Sequence, residues 1–219
     1  MGLIDGAAAA AEFAQWQAQR KNLMKAANPT QKKAIKYFIP EPGCKGLFDK
    51  VSDEEYDEIV KGMVKSSNSY QRALDKIGLD ESELKEIPPV TLYGYEEGKN
   101  SFSKTNVDGT YRTNLYSITH LFFSATQVYM YQLVLNTMKN DRKERTEEYF
   151  YKDITNFSTL SDTVESITFK GCQNTVQKVS VEVQKFSLIV PGDKFTCATY
   201  GDIDQQVRAM KNKLREKKQ

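Results

Sequence analysis

The chain has 219 residues, of which 39% are hydrophobic and 27% are charged. Its 12 tyrosines, 11 phenylalanines and single tryptophan are enough to build a hydrophobic core, which excludes wholesale disorder. The length favours one large domain or two small ones, and we prefer two. The 31 basic and 29 acidic residues give a net charge of +2, so we expect no nucleic-acid partner held by global electrostatic attraction.

The sequence contains no recognisable targeting or transmembrane segment. No stretch approaches the roughly 18 to 20 apolar residues that cross a bilayer, and the first residues carry no basic leader. The three cysteines, Cys44, Cys172 and Cys197, are odd in number and form no C-x-x-C pair. We therefore expect a reduced, cytoplasmic protein whose thiols are buried or unreactive.

Residues 1–88 have the composition and the capping signals of short helices. Asn28-Pro29 ends the first helix, and Thr30 is a candidate N-cap for the second. The segment from Ser52 to Glu55 (SDEE) has the form of a capping box. The predicted helices cover residues 7–27, 30–38, 53–65 and 70–77. Because short helices are marginally stable alone, we expect them to pack onto the rest of the chain.

Residues 89–219 have the composition of β-strands with turn residues between them. The predicted strands cover residues 90–95, 111–124, 126–138, 145–154, 164–169, 176–190 and 194–200. The polar, glycine-bearing segment from Gly98 to Gly109 is interpreted as a loop. The apolar residues change from odd to even positions near Gln184-Lys185, which predicts a β-bulge or a tight bend there.

The last predicted element is an amphipathic helix. Ile203, Val207, Met210 and Leu214 recur at spacings of four, three and four, so they form one apolar stripe, and Asp202 is a candidate N-cap. The order of elements predicts an α+β fold. Short N-terminal helices precede an antiparallel β-barrel or bent sandwich, whose open end the last helix closes.

Three segments of the second half support a resemblance to a known family. They are the aromatic run from Tyr149 to Thr155 (YFYKDIT), the hairpin from Phe186 to Phe195 (FSLIVPGDKF) and the closing helix from Ile203 to Glu216. The stretch from about Tyr111 to Lys218 resembles bacterial pleckstrin-homology-like (PH-like) domains, and the whole chain is similar to a bacterial family in which a helical segment precedes this domain. The resemblance implies two nearly orthogonal sheets with a C-terminal helix. It also implies a binding or assembly module without catalytic residues, and a homo-oligomer, since some bacterial members form rings.

Residue types that support catalysis are sparse. His120 is the single histidine. A metal site would need Cys or His partners near it, and a hydrolytic triad would need a hydroxyl or thiol and a carboxylate. We interpret His120 as structural or solvent-facing, and Asp153 as a turn residue. No glycine-rich phosphate loop is present, so the sequence predicts no catalytic residue, no cofactor and no metal.

Tyrosines are the most unusual feature of the composition. Tyr129 and Tyr131 lie two residues apart, as do Tyr149 and Tyr151, so each pair is placed on one face of its strand. If the two strands are neighbours, the four residues form a ladder. Two interpretations stay open: a surface covered by the N-terminal helices, or a contact surface for a protein partner.

Basic residues between two predicted strands are the candidate anion contacts. Eukaryotic pleckstrin-homology domains hold phosphoinositides with basic residues in a strand-connecting loop, so the resemblance implies a test of Lys139, Arg142 and Lys143, although Asp141 and Glu144 balance their charge. We expect first a non-enzymatic binding or assembly module that acts through protein–protein contacts. The alternative is a PH-like domain that binds a lipid headgroup or another anion at a membrane surface.

Overall fold

The structure is a computed structural model. It describes residues 6–41, 50–80, 82, 84, 87–98, 101–105, 108–170 and 175–218. The helices are α1 (Gly6–Ala26), α2 (Pro29–Phe38), α3 (Asp53–Ser67), α4 (Ser69–Ile77) and α5 (Asp204–Lys217). The helices predicted for the first half of the sequence are therefore confirmed, with small changes at their ends.

The strands of the described ranges form three antiparallel sheets. They are β1 (Ile87–Tyr95), β2 (Ser103–Thr105), β3 (Tyr111–Thr113), β4 (Leu115–Phe123), β5 (Gln127–Asn136), β6 (Arg142–Phe150), β7 (Asn156–Lys170), β8 (Thr175–Val190) and β9 (Asp193–Thr199). One sheet has the order β1-β4-β5-β6, another has the order β7-β8-β9, and β2 pairs with β3. The α+β class is confirmed. The closed barrel is wrong, because the described strands pair in separate sheets.

The edges of the two larger sheets meet at one place, where β1 passes β9. The Tyr200 amide donates a hydrogen bond to the Tyr93 carbonyl (2.6 Å), and the Ala198 amide donates to a carboxylate oxygen of Glu96 (3.0 Å). Gly94 allows this approach, since a Cβ there would lie 2.4 Å from the Ala198 carbonyl carbon. A barrel needs a continuous ladder at such a seam, whereas here a side chain supplies one of the acceptors. The sheets therefore join only locally.

The inner core contains side chains from both larger sheets, and α5 covers it. The apolar stripe of α5 is fully buried there, which confirms the prediction. Its members are Ile203 (9% exposed), Val207 (4%), Met210 (0%) and Leu214 (6%). The helix begins at Asp204, one residue later than the predicted cap implies, and Asp202 accepts a hydrogen bond from the Asp204 amide (2.8 Å).

The N-terminal helices pack on the other face of the four-stranded sheet, as expected. Leu74 of α4 packs in one cluster with Phe122 and Tyr131. Phe38 of α2 and Tyr56 of α3 belong to a neighbouring cluster that also reaches the sheet. The four-stranded sheet is therefore covered on both faces, which explains why β4 is almost entirely buried.

Several details of the β region differ from the predictions. The predicted strand 111–124 is divided into β3 and β4, residues 151–154 lie outside any strand, and β7 begins at Asn156 rather than at 164. The segment between Gly98 and Gly109, predicted as a loop, contains β2, which pairs with β3. The β-bulge predicted near Gln184-Lys185 is wrong, because the pairing of β8 with β7 passes through these residues without a shift in register.

The change of phase in β8 comes from a change of the buried face. Near the base of the β7–β8 ribbon, Phe186 and Leu188 face the inner core. Toward the tip, the half-buried Val181 pairs with the buried Val164 on the opposite face. Along one straight ladder, β8 therefore directs Phe186 and Leu188 to the inner core at its base, and its half-buried valines, Val179, Val181 and Val183, lie on the opposite face toward its tip.

Candidate functional site

One open groove of about 1170 Å³ lies between the first turn of α2, one side of α3 and the turn that joins β5 to β6. Its apolar residues are Pro29, Ile59, Met63 and Leu135. Gly62 also lines it, and a Cβ at this position would meet nothing within 4 Å. Clefts of this size hold small ligands or a segment of a partner chain.

The sides of this groove differ in charge. The α3 side is acidic, with Glu54, Glu55 and Glu58. The side formed by α2 and the β5–β6 turn is mostly basic, with Lys33, Lys139, Arg142 and one acid, Asp141. Lys33 pairs with Glu55 (3.5 Å), whereas Lys139 makes no ion pair within the described residues. Hydrogen bonds from the backbone at the helix start and from Ser52 lower the pKa of Glu54, so it stays charged at neutral pH.

A capping box fixes the start of α2. Asn28 accepts a hydrogen bond from the Gln31 amide (2.9 Å), and the Gln31 side chain accepts one from the Asn28 amide (2.9 Å). The Gln31 side chain also donates to Asn140 Oδ1 in the β5–β6 turn (2.6 Å). The cap therefore ties α2 to this turn. Thr30, the predicted N-cap, lies inside the helix, and Pro29 occupies its first turn.

A polar network holds α3 on the strands. Arg112 of β3, which is 4% exposed, makes two hydrogen bonds to Asp57 and two to Asp108. The buried Tyr56 hydroxyl donates to the Thr113 carbonyl (2.6 Å). Paired, charge-assisted bonds of this kind fix direction as well as distance. They place the acidic side of the groove relative to the sheet.

Lys104 of β2 lies beside this network. Its Nζ is 4.1 Å from the centroid of the Tyr37 ring, and the Tyr37 hydroxyl donates to Asp53 (2.8 Å). Burial lowers the pKa of Lys104 to about 8. This cluster could not be predicted from the sequence, because its members come from four elements that are distant along the chain. The only local sequence signal near them is the capping box at Ser52.

The structure brings the three predicted anion contacts together. Lys139 and Arg142 line the groove and also a second cavity of about 360 Å³, and Lys143 lines the second cavity. Arg142 pairs with Glu144 (3.5 Å). Within the part of the chain that the structure describes, Lys139 and Lys143 make no ion pair. These two cations are therefore available to an anion from outside.

The four tyrosines predicted as a ladder lie on two faces of the sheet. β5 and β6 are neighbours, but Tyr149 pairs with Val128, one position out of phase with Tyr129 and Tyr131. Tyr129 and Tyr131 face the helices, whereas Tyr149 and Tyr151 lie in the inner core. The predicted tyrosine ladder is wrong. Tyr149 shares a face with its partner Val128, and Val128 points to the face opposite to that of its neighbour Tyr129. Tyr131, Tyr149 and Tyr151 are buried, so these residues share no contact surface in this chain.

The most exposed tyrosines are others. Tyr200 is 64% exposed and Tyr93 is 40% exposed, and their backbones meet where β1 passes β9.

Asp153 lies in the turn after β6, where its amide donates to the Phe150 carbonyl (2.9 Å). The position of Asp153 agrees with its interpretation as a turn residue.

His120 is a buried cross-link between α4, β1 and β4. It is 3% exposed, and its Nε2 and Nδ1 lie 2.9 Å from the hydroxyl oxygens of Ser69 and Thr91. Burial lowers the pKa of His120 to about 4, so the ring is neutral at physiological pH. Among the described residues, neither ring nitrogen is bonded to a carboxylate. The arrangement lacks the third member of a hydrolytic triad.

Of the three cysteines, the structure describes only Cys197. Cys197 is buried, and burial raises its pKa to about 12. Cys44 and Cys172 lie outside the described residues.

In the described ranges, no three His, Cys, Asp or Glu side chains are grouped as ligands for a metal ion. No helix in those ranges is long and apolar enough to span a bilayer.

Comparison with known proteins finds no matching family model, no matching curated protein and no matching solved structure. The groove, the second cavity and the charges that line them are therefore the features of the chain that indicate a function.

Proposed function

We propose that this chain is a non-enzymatic binding module that takes up a helical segment of a partner protein in the groove. The observation that supports the proposal is the combination of an apolar floor (Ile59, Met63 and Leu135) with sides of different charge. Amphipathic helices bind such grooves through apolar residues at positions i, i+3, i+4 and i+7. The groove is open along α3, which leaves room for a helix rather than for an enclosed small molecule.

Charge defines the partner more narrowly. Glu54 and Glu58 favour a helix with basic residues along one flank, and Lys139 favours acidic residues along the other. Glu58 already pairs with Lys61 (2.7 Å), but both side chains are about 70% exposed, and such a pair exchanges readily with a partner's charge. The expected partner segment is therefore an amphipathic helix with opposite charges on its two polar flanks.

A peptide selection tests this proposal. A library of amphipathic helical peptides is selected on the immobilised full chain, and enriched peptides are measured by isothermal titration calorimetry. Gly62→Phe places a ring in the groove at a position where a Cβ meets nothing within 4 Å. We expect it to abolish binding. Glu58→Lys should weaken peptides with a basic flank at least about tenfold.

The matched control is Glu216→Lys, an exposed substitution on α5 that makes the same charge change outside the groove. It should bind like the parent chain. Thermal melting by circular dichroism establishes that each variant is folded. The proposal fails if no peptide is enriched, or if enriched peptides bind Gly62→Phe as tightly as the parent.

A second candidate function is the binding of an anionic lipid headgroup at the β5–β6 turn. Lys139, Arg142 and Lys143 cluster there, although Asp141 and Glu144 reduce the local positive potential. Vesicles of phosphatidylserine and phosphatidylcholine are compared with phosphatidylcholine alone by co-sedimentation. Loss of binding in the triple variant Lys139→Ala, Arg142→Ala, Lys143→Ala would support this function. Binding that the triple variant leaves unchanged would eliminate it.

We also propose that the second half of the chain is PH-like and that the chain forms a homo-oligomer. The support for the fold is the order of elements: an antiparallel four-stranded sheet, a three-stranded sheet and a helix that covers the core. The homo-oligomer follows from the same resemblance. Size-exclusion chromatography with light scattering tests it, and a strictly monomeric chain would count against it.

A further inference from the structure

The inner face of the four-stranded sheet changes from apolar to polar along its strands. Near α5 it carries Leu92, Leu121 and Met130, which belong to the inner core. The strand pairings place a polar group further along the same face. Its members are Glu96, Gln132, Asn136 and Lys143, and all four line the cavity of about 360 Å³.

The charge of this polar group changes sign across the strands. Glu96 directly follows β1 at one edge of the sheet, the two amides lie on β5, and Lys143 lies on β6 at the other edge. In a four-stranded sheet the outer backbones are about 14 Å apart. Glu97, which pairs with Lys185 (3.4 Å), lines the acidic end, while Lys139 and Arg142, together with Asp141, line the other end. The cavity is therefore acidic on one side and mostly basic on the other, and its middle is lined by the two amides together with Leu115 and Val134.

Asn136 Oδ1 accepts hydrogen bonds from Asn114 Nδ2 (3.1 Å) and the Met138 amide (3.0 Å), whereas the other three groups have fewer partners within the chain. Glu96 accepts a hydrogen bond from the Ala198 amide (3.0 Å) and makes no ion pair in the described ranges. Burial raises its pKa, although hydrogen bonds from Ala198 and Ser117 and the charge of Lys185 act in the opposite direction. Lys143 makes no ion pair, and the Gln132 side chain makes no hydrogen bond, within the same ranges. Because burial outweighs the favourable interactions of the Glu96 carboxylate, a cation from outside that contacts it directly would stabilise it.

We propose that this cavity binds a small zwitterion whose ammonium and carboxylate groups are separated by several bonds. The ammonium group meets Glu96, the carboxylate meets Lys143, and the amides of Gln132 and Asn136 contact the part between. An ω-amino acid has this chemistry, and the cavity volume lies within the usual range for small-molecule sites. This site does not depend on the groove, whose apolar residues do not line it.

Calorimetric titration of the full chain with ε-aminocaproate tests the proposal, with caproate and hexylamine as probes that each carry one of the two charges. We expect ε-aminocaproate to bind with a Kd below about 1 mM, and each single-charge probe to bind at least about tenfold more weakly. Glu96→Gln and Lys143→Gln should each weaken ε-aminocaproate at least about tenfold.

The matched controls are Glu165→Gln and Lys178→Gln, which make the same changes in an exposed ion pair of the β7–β8 ribbon. They should leave the Kd unchanged. Three results would overturn the proposal: no binding of ε-aminocaproate, caproate that binds as tightly as ε-aminocaproate, or unchanged binding in Glu96→Gln. The second result would identify a general anion site. None of them affects the peptide experiment, whose variants lie in the groove.

Discussion

Arg112 of β3 and Asp57 of α3 are joined by two parallel hydrogen bonds, from Nε to Oδ1 and from Nη2 to Oδ2, both 2.9 Å long. The guanidinium is almost fully buried, whereas Asp57 keeps 34% of its side-chain surface exposed. The same guanidinium also binds Asp108. The planar fork of arginine satisfies both carboxylates at once, which a lysine ammonium cannot do.

We therefore expect Arg112→Lys to destabilise the fold by about 2 kcal/mol, below the value for a fully buried pair because both carboxylates are partly solvated. Urea denaturation measures the free energy of unfolding. The control is Lys61→Met, which removes a cation from the exposed pair with Glu58 and should cause no measurable change. Equal effects of the two substitutions would contradict the structural role of Arg112.

The stability of the chain should depend on pH through His120. Its pKa in the folded chain, about 4, is below the unfolded value near 6.5, so the unfolded chain binds more protons between these values. The stabilisation is complete above pH about 6.5 and is lost as the pH falls, by up to about 3 kcal/mol near pH 4. Because the chain has one histidine, an NMR titration of its ring reports the pKa without overlap. A midpoint near 6.5 in the folded chain would show that the ring is not buried.

His120→Gln is the companion variant for the pH experiment. It removes the titration, so the slope of the free energy of unfolding between about pH 5.5 and 6.5 should flatten. A slope that persists in this variant would assign the pH dependence to other groups.

Two glycines should respond in opposite ways to alanine. Gly94→Ala places a Cβ 2.4 Å from the backbone of Ala198, so the seam between β1 and β9 must open, and we expect a loss of at least about 2 kcal/mol. Gly62→Ala adds a Cβ within α3 where nothing lies within 4 Å, and helix propensity predicts a gain of about 0.5 to 1 kcal/mol. Thermal melting of both variants tests the pair. Equal melting temperatures of Gly94→Ala and Gly62→Ala would contradict the close contact between β1 and β9 at Gly94.

The closing helix should contribute strongly to stability through Met210, which is 0% exposed in the inner core. Met210→Ala leaves a cavity between the sheets, so we expect a loss of about 2 to 5 kcal/mol in chemical denaturation. Arg208→Ala changes an exposed position of the same helix and should stay within about 0.5 kcal/mol of the parent. If Met210→Ala behaved like Arg208→Ala, α5 would not be packed as described.

The elements that sequence analysis predicted correctly are those with local signals. The stripe from Ile203 to Leu214 repeats at helical spacing, and the capping box at Ser52 involves residues three apart, so both can be read from a few neighbouring positions. The N-cap of α2 was predicted at Thr30 instead of Asn28, because an Asn-Pro pair is typical of both the end of one helix and the start of the next. The structure uses it as a start.

Features that depend on pairing between distant segments could not be predicted. The faces of Tyr129 and Tyr149 follow from the register of β5 against β6, and a shift of one residue would reverse them. The contact of Arg112 with Asp57 joins residues 55 positions apart. The candidate sites are of the same kind: Lys139, Arg142 and Lys143 were identified as a basic turn, but Glu58 and Glu96 became relevant only once the fold placed them beside it.

The exchange of buried faces along the β7–β8 ribbon has a consequence for its assembly. Serine, threonine and valine recur along these two strands, so many alignments would satisfy their backbone groups equally well. A slip by a single residue, however, would turn Phe186 and Leu188 outward at the base and Val181 outward at the tip in the same movement. A shifted register would therefore lose buried apolar contacts at both ends of the ribbon. This favours one register for two strands whose sequences are otherwise repetitive.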